Sequence, residues 1–421
     1  MTYLHRHGTG IKLYDRLPSH TRIVVCIPVL DEPELPRTLQ SLEQAQRQAH
    51  VGVEVLVLFN YSESAPPKLK ARQQSHFKEI VCTAERWRGD GFGVQFALRE
   101  LPARQAGVGL ARKLLMDEAY RLLMLAGNTD TIIATTDADT VVAPNYFTAL
   151  THYFRTRKKT EAASIYFEHI LPPEGPEREA IVAYELHLRY FIQAQRDAGS
   201  PTAYHTIGSA MAVRPEAYAR EGGMNRRQAG EDFYFLQKFA RKRTLGELNT
   251  TAVFPSGRRS DRVPFGTGKA VAGYLDGDRS FHTYHPAIFA DLKPLFQKIR
   301  EGYRAEDADG LRIFGASLPA AVRDFLSRQK FEDRIREIRQ HTASAAAFEK
   351  RFFRWFDGFM TMKYTHFARD RYYGTMPVVE AAQAIARQHG YTGAPATGTL
   401  LHFFRHLQRQ SRYPARSGAR S

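Results

Sequence analysis

The chain has 421 residues, with 60 basic against 44 acidic side chains and a formal net charge of +16. At 43% hydrophobic residues it carries ample material for a core, which excludes disorder over most of its length. The 30 glycines and 21 prolines follow no short period, which excludes collagen-like and low-complexity structure.

Length alone suggests two or three domains, at roughly 150 residues each. The longest unbroken apolar run, Ile23–Leu30, is far short of the ~20 residues that span a bilayer. Met1 to Lys12 is polar and includes His5, Arg6 and His7, so no secretory leader is expected and the chain reads as cytoplasmic. Cys26 and Cys82 lie in apolar runs and are expected to be buried thiols of a reducing compartment. The positive balance admits nucleic acid, an anionic membrane surface or an anionic substrate such as a nucleotide diphosphate. No zinc finger, RNP-type strand or helix-turn-helix pattern is present, so nucleic acid is not the expected partner.

In chain order, Arg22–Leu30 reads as a fully buried strand and Leu35–Ala49 as a helix through Leu35, Leu39, Leu42 and Ala45. Val53–Phe59 is a second β-branched run and Phe77–Thr83 a third expected strand. Leu110–Ala126 is a strong helix, and Thr131–Thr136 a buried strand running straight into Asp137-Ala138-Asp139. Strands alternating with helices predict a largely parallel sheet covered by helices. Glu177–Asp197 reads as a further helix. Strand signals become scarce after about residue 290, which divides the chain into an α/β domain at 1–290 and a helical extension at 291–421. In that extension Phe348, Phe352, Trp355 or Phe356, Phe359, Met362 or Lys363, and Phe367 recur as the buried stripe of one helix. Arg405, Arg409, Arg412, Arg416 and Arg420 follow Glu380 with no further acidic residue, and read as a solvated basic tail.

Asp137-Ala138-Asp139 is the central chemical signal. It stands at the carboxyl end of a buried strand, where open α/β sheets bind ligands. Two carboxylates one residue apart can approach a hard cation such as Mg²⁺ or Mn²⁺, with a diphosphate completing its shell. The first strand closes in Ile27-Pro28-Val29-Leu30-Asp31-Glu32. The segment Gly107-Val108-Gly109-Leu110-Ala111-Arg112-Lys113 opens a helix. Thr206–Ser209, Arg214, Gly222-Gly223 and Gly230-Glu231-Asp232 follow in order. Together these residues resemble the ordered motifs of family-2 glycosyltransferases over about residues 22–270.

The resemblance implies a GT-A fold, a Rossmann-like, mixed and mainly parallel sheet flanked by helices. It implies inverting transfer from a nucleotide-diphosphate sugar, expected to be UDP-linked, to a hydroxyl acceptor of a glycan or lipid-linked glycan. Asp137 and Asp139 would hold Mn²⁺ or Mg²⁺. Asp232 would be the base that deprotonates the acceptor, with Glu231 beside it orienting the acceptor or tuning its neighbour. Pro28, Asp31 and Glu32 would lie beneath the nucleotide, with Arg112 facing the site. Asn60 stands where the family often has an aspartate, so it would offer the base neutral hydrogen bonds.

Lys113 replaces the family's usual Asn, and the Gln-x-x-Arg-Trp motif of processive members is missing. In its place Arg258, Arg259 and Arg262 precede Gly266-Thr267-Gly268-Lys269, a basic turn suited to diphosphate oxygens. Transfer of one or few sugars is therefore expected rather than processive synthesis. His282 and His285, in an aromatic stretch, read as buried or surface histidines rather than ligands. The competing readings are a sugar-nucleotide pyrophosphorylase and a non-catalytic basic module for membrane or nucleic acid. The first expects a glycine-rich basic segment where Asp31-Glu32-Pro33-Glu34 stands, and the ordered acidic motifs argue against the second. The aromatic stripe and terminal arginines add the expectation of peripheral contact with the inner face of a membrane.

Overall fold

The structure, a computed structural model, describes residues 2–413 apart from 11, 129, 229, 261–265, 278 and 305–307. The aliphatic runs become β1 (Thr21–Val29), β2 (Gly52–Ser62), β3 (Phe92–Leu101), β4 (Ile132–Thr135), β5 (Val141–Val142), β6 (Ala162–Phe167), β7 (Met211–Val213) and β8 (Leu245–Phe254). They form one sheet in the order β3-β2-β1-β4-β7-β6-β8-β5. β3, β2, β1 and β4 are parallel, whereas β7 runs antiparallel to both β4 and β6. β8 pairs parallel with β6, and β5 antiparallel with β8. The mixed, mainly parallel α/β sheet anticipated from the sequence is thus present.

Helices cover both faces. They are α1 (Thr2–His7), α2 (Leu35–Ala49), α3 (Pro67–Cys82), α4 (Val108–Ala126), α5 (Tyr146–Thr156), α6 (Pro176–Asp197), α7 (Pro215–Arg220), α8 (Glu231–Ala240) and α9 (Thr267–Asp276). Leu35, Leu39 and Leu42 of α2 and Tyr146, Phe147 and Leu150 of α5 pack on one face of the sheet. Leu110, Leu114 and Leu115 of α4 pack on the other with Phe235 and Phe239 of α8. Each fully buried side chain of this kind stabilises the fold by about 1.5–3 kcal/mol.

Beyond a short pair, β9 (His282–Tyr284) and β10 (Thr375–Pro377), the remainder is helical: α10 (Pro286–Arg304), α11 (Ala308–Ala316), α12 (Ala320–Arg328), α13 (Phe331–Gln340), α14 (Ala345–Trp355), α15 (Gly358–Ala368), α16 (Val378–Gln388) and α17 (Thr397–Arg409). These helices share one core with α6, through Leu186, Tyr190 and Ala194. Among the described residues no helix is long and apolar enough to cross a membrane.

Four expectations need correction. Phe77–Thr83 is not a strand; residues 77–82 finish α3, which buries Gln73 and Ile80 seven positions apart on one face. The third strand is instead β3, more polar and at the sheet edge. Cys26 is buried in β1, but Cys82 is exposed at the end of α3. The aromatic stripe spans two helices, because Asp357 caps α15 by accepting from the N–H groups of Phe359 and Met360, each at 3.0 Å. Phe348, Phe352 and Phe356 are buried and Phe359 is exposed. Finally, Arg405 is no solvated tail residue but lies against α6, as described below.

Candidate functional site

The sheet's order reverses beside β1. The chain leaves β1 through α2 to reach β2 on one side, while β4 lies on the other. The carboxyl ends of β1 and β4 therefore flank a topological switch point, the place where such sheets hold ligands. β1 is followed by Asp31 and Glu32, and β4 by Asp137 and Asp139. Thr38 of α2 donates to the Ala138 carbonyl (2.9 Å), and the Thr140 N–H closes the turn on the Asp137 carbonyl (3.2 Å). The D-x-D segment is thus held as a tight turn, with its two carboxylates partly open to solvent. Pro28 is buried in β1, opposite Leu58.

Arg112, on the second turn of α4, joins this turn to the Glu-Asp pair. Its guanidinium is 2% exposed and donates to Asp137 (2.9 Å), Glu231 (3.1 Å) and the Gly208 carbonyl (3.0 Å). Two glycines make that convergence fit. A Cβ on Gly109 would stand 1.9 Å from the Arg227 carbonyl, so only glycine lets the loop before α8 approach α4. A Cβ on Gly208 would lie 2.7 Å from the Arg112 guanidinium and 3.4 Å from the Asp232 carboxylate. Burial works against the Arg112 charge, but Asp137, Glu231 and Asp232 together push its pKa above the ordinary value.

Asp232 sits in the first turn of α8 and accepts from the Phe233 N–H (2.7 Å). Enclosure by protein, then the negative charges of Glu231 and Asp137, push its carboxyl up to about 7, against the pull of the Phe233 N–H and Arg112. A carboxyl able to take up or release a proton near neutrality follows from this arrangement. Glu231 is buried beside it, its carboxylate turned to Arg112.

Across the site, Arg258 reaches back from the segment after β8. One of its terminal nitrogens contacts the buried carboxylate of Glu32 and also Asp139 (3.5 Å). The structure thus brings together Glu32, Arg112, Asp137, Asp139, Glu231, Asp232 and Arg258. Three other predicted residues are directed elsewhere. Asn60 is buried and donates to the carbonyls of Val29 (3.0 Å) and Leu58 (3.3 Å), so its amide ties β1 to β2. Arg259 pairs with Asp276 of α9 at 2.7 and 2.9 Å. Asp31, at φ 50°, pairs with Arg72 of α3 (2.5 Å). Arg262 lies outside the described residues, whereas Gly266-Thr267-Gly268-Lys269 is no separate turn: Gly266 caps α9, and Thr267, Gly268 and Lys269 are its first residues. His282 is exposed, and His285 stacks on Tyr373 at 5.8 Å.

Sequence reasoning missed a buried network behind the site. Arg405 of α17 donates to both oxygens of Glu185 (2.8 and 2.6 Å). Glu185 also receives Arg189 (2.7 Å), the His169 N–H (2.9 Å) and the His169 ring (3.1 Å). The far ring nitrogen of His169 meets Thr267, the first residue of α9 (3.2 Å). Burial opposes the Glu185 charge, but Arg189, His169 and Arg405 hold its carboxyl well below the usual range. The Glu185–Arg189 spacing of four on a helix was a legible signal. Arg405 offered none.

Among the described residues five carboxylates gather here with the guanidinium groups of Arg112 and Arg258, a set rich in hard oxygen donors. That donor set suits a divalent cation. Among the described residues no three His, Cys, Asp or Glu side chains are grouped as a metal cage.

No protein-family model matches the chain, and no curated protein matches it. Similar folds occur among solved structures, all at low identity. TarS from S. aureus is 12% identical with a TM-score of 0.39, over 74% of this chain and 53% of TarS, so this chain spans about half the length of that protein. A mannosyltransferase from Pyrobaculum calidifontis, solved with GDP-Man and Mn²⁺, is 13% identical with a TM-score of 0.35, over 94% of this chain and 90% of that one. Glucosyl-3-phosphoglycerate synthase from M. tuberculosis is 14% identical with a TM-score of 0.32, over 61% and 79%.

Proposed function

We propose that the protein is an inverting, metal-dependent glycosyltransferase. It would move a sugar from a nucleotide-diphosphate donor, UDP-linked in our reading, to a hydroxyl of a glycan or lipid-linked glycan. One observation carries this reading: Arg112 gathers Asp137 of the D-x-D turn and Glu231 of the Glu-Asp pair around a single guanidinium at the switch point. Two acidic motifs about a hundred residues apart are thereby fixed on either side of one site.

In this reading Asp139 and Asp137 hold Mn²⁺ or Mg²⁺, which when bound supplies positive charge to the donor diphosphate. Arg112 holds Asp137 in place through its 2.9 Å contact. Asp232 takes the proton of the acceptor hydroxyl as that oxygen attacks the anomeric carbon from the side opposite the diphosphate. Its raised pKa makes it an effective proton acceptor near pH 7. Glu231, locked on Arg112, preserves the angle of its neighbour.

Calorimetric titration with UDP and Mn²⁺, followed by sugar-nucleotide turnover, tests the assignment. Asp139→Ala should weaken metal-dependent nucleotide binding and abolish transfer together. Asp232→Asn should bind near wild type while turnover falls by roughly 10²-fold or more. Normal binding by Asp139→Ala would reduce the D-x-D turn to an acidic strand end, and normal turnover by Asp232→Asn would move the base to Glu231.

A further inference from the structure

We infer that Arg258 and the divalent cation are alternative occupants of the same seat between Glu32 and Asp139, so that the cation enters only together with the nucleotide. The inference rests on the proposed metal–nucleotide site and assigns Glu32 and Arg258 a role in it.

Glu32 is 2% exposed at the end of β1, and one of its oxygens accepts from the Glu34 N–H (3.0 Å). Its other oxygen contacts the terminal nitrogen of Arg258 that also lies 3.5 Å from Asp139. The Arg258 guanidinium therefore bridges carboxylates supplied by the ends of two adjacent parallel strands. The guanidinium comes from a well-anchored base. Gly257 is buried so closely that a Cβ there would stand 2.6 Å from Ile181 and 3.2 Å from the Ile170 carbonyl, and Ser256 bridges to Ile170. The backbone before it is closely packed, and the side chain itself is about one-third exposed.

A carboxylate as enclosed as Glu32 is costly without a cation beside it. In the absence of donor Arg258 supplies that charge. A metal ion arriving alone must expel Arg258 and leave it without an equivalent partner. A metal arriving with a diphosphate meets a different balance, because phosphate oxygens match the guanidinium fork better than one nitrogen shared between two carboxylates does. The displaced Arg258 then turns onto the phosphates while the cation takes Glu32 and Asp139. Metal and nucleotide affinities are thereby coupled, and the coupling is reciprocal. Asp137 and Asp139 keep the role of metal ligands, and Glu32 is added as a third carboxylate in contact with the cation.

Calorimetric titration with Mn²⁺ alone, and again with saturating UDP, reads the coupling directly. Wild type should bind Mn²⁺ alone at least tenfold more weakly than with UDP. Arg258→Gln should bind Mn²⁺ alone at least tenfold more tightly than wild type, bind UDP more weakly, and lose most of the coupling. Adding Glu32→Gln to Arg258→Gln should remove the gain. The inference is overturned if Arg258→Gln binds Mn²⁺ alone no better than wild type, or if the gain survives Glu32→Gln. Wild type that binds Mn²⁺ equally well with and without UDP overturns it without any variant. Failure of wild type to bind UDP with Mn²⁺ at all would instead sink the transferase reading. Normal UDP–Mn²⁺ binding and turnover with an unresponsive Arg258→Gln would leave that reading standing and refute only the exchange.

Discussion

Replacing Asp232 by Asn should make the protein more stable as it makes it less active, and the gain should depend on pH. The Asp232 carboxyl is displaced from 3.8 in the open chain to about 7 in the fold. A shift of about three units corresponds to at most ~4 kcal/mol, at ~1.4 kcal/mol per unit. Asp232 is partly open to solvent and shares its excess charge with Glu231, so about half that figure, ~2 kcal/mol, is expected.

The sign follows from proton uptake. Between about pH 4 and 7 the folded state holds a proton that the unfolded chain has released. Wild-type stability therefore falls as pH rises through this window and levels off above it. Asn carries no charge at any pH and keeps an oxygen to accept from Phe233. Its advantage is small near pH 4, less than half complete at pH 5 and full above pH 7. For a chain of this length, roughly 2 cal/mol/K of unfolding entropy per residue converts ~2 kcal/mol into about 2 °C. Thermal unfolding of both proteins at pH 5 and pH 8 checks it. An equal gain at the two pH values, or a loss at pH 8, would refute the electrostatic account of Asp232.

Gly208→Ala should push the Arg112 guanidinium from its three acceptors, lowering turnover tenfold or more with ~1–3 kcal/mol lost in denaturant unfolding. Arg405→Ala should destabilise by about 2–3 kcal/mol, below the ~3–5 typical of a broken buried pair because Arg189 still faces Glu185; Arg405→Lys, which cannot grip both oxygens, should recover less than half in urea unfolding. If the acceptor is lipid-linked, Arg409 and Arg412, both exposed, should hold the protein on anionic vesicles at low salt. Sedimentation should fall by roughly tenfold or more when both are changed to Glu, at ~1 kcal/mol per arginine.

The parts of the site that local pattern revealed are those whose signal is local. β1 and β4 are runs of β-branched residues ending in acids, and α8 opens on two carboxylates that also suit a helix N-terminus. β3 escaped notice because an edge strand need not be apolar, and Gln95, Arg99 and Glu100 interrupt its alternation. The apolar cluster around Phe77 and Ile80 looked more strand-like, yet it is the inward side of α3. Asn60 and Asp31 sit at strand ends, as their motif implies. Their side chains are bound by Val29, Leu58 and Arg72, partners that only the folded sheet brings near. Arg405 was unreadable for the same reason, since its acceptor lies 220 positions earlier.

That separation also sets a timetable. At about 5–20 residues per second, α6 leaves a ribosome roughly 10–40 s before α17 is complete. Throughout that interval Glu185 has Arg189 and His169 but lacks Arg405. The groove on α6 that will receive Leu400 and Phe404 stands uncovered. The nascent chain therefore passes through a stage in which its central helix shows apolar surface beside an incompletely compensated charge. Closure waits for a helix made some 220 positions later, so a chain stalled between α6 and α17 is a natural client for chaperones.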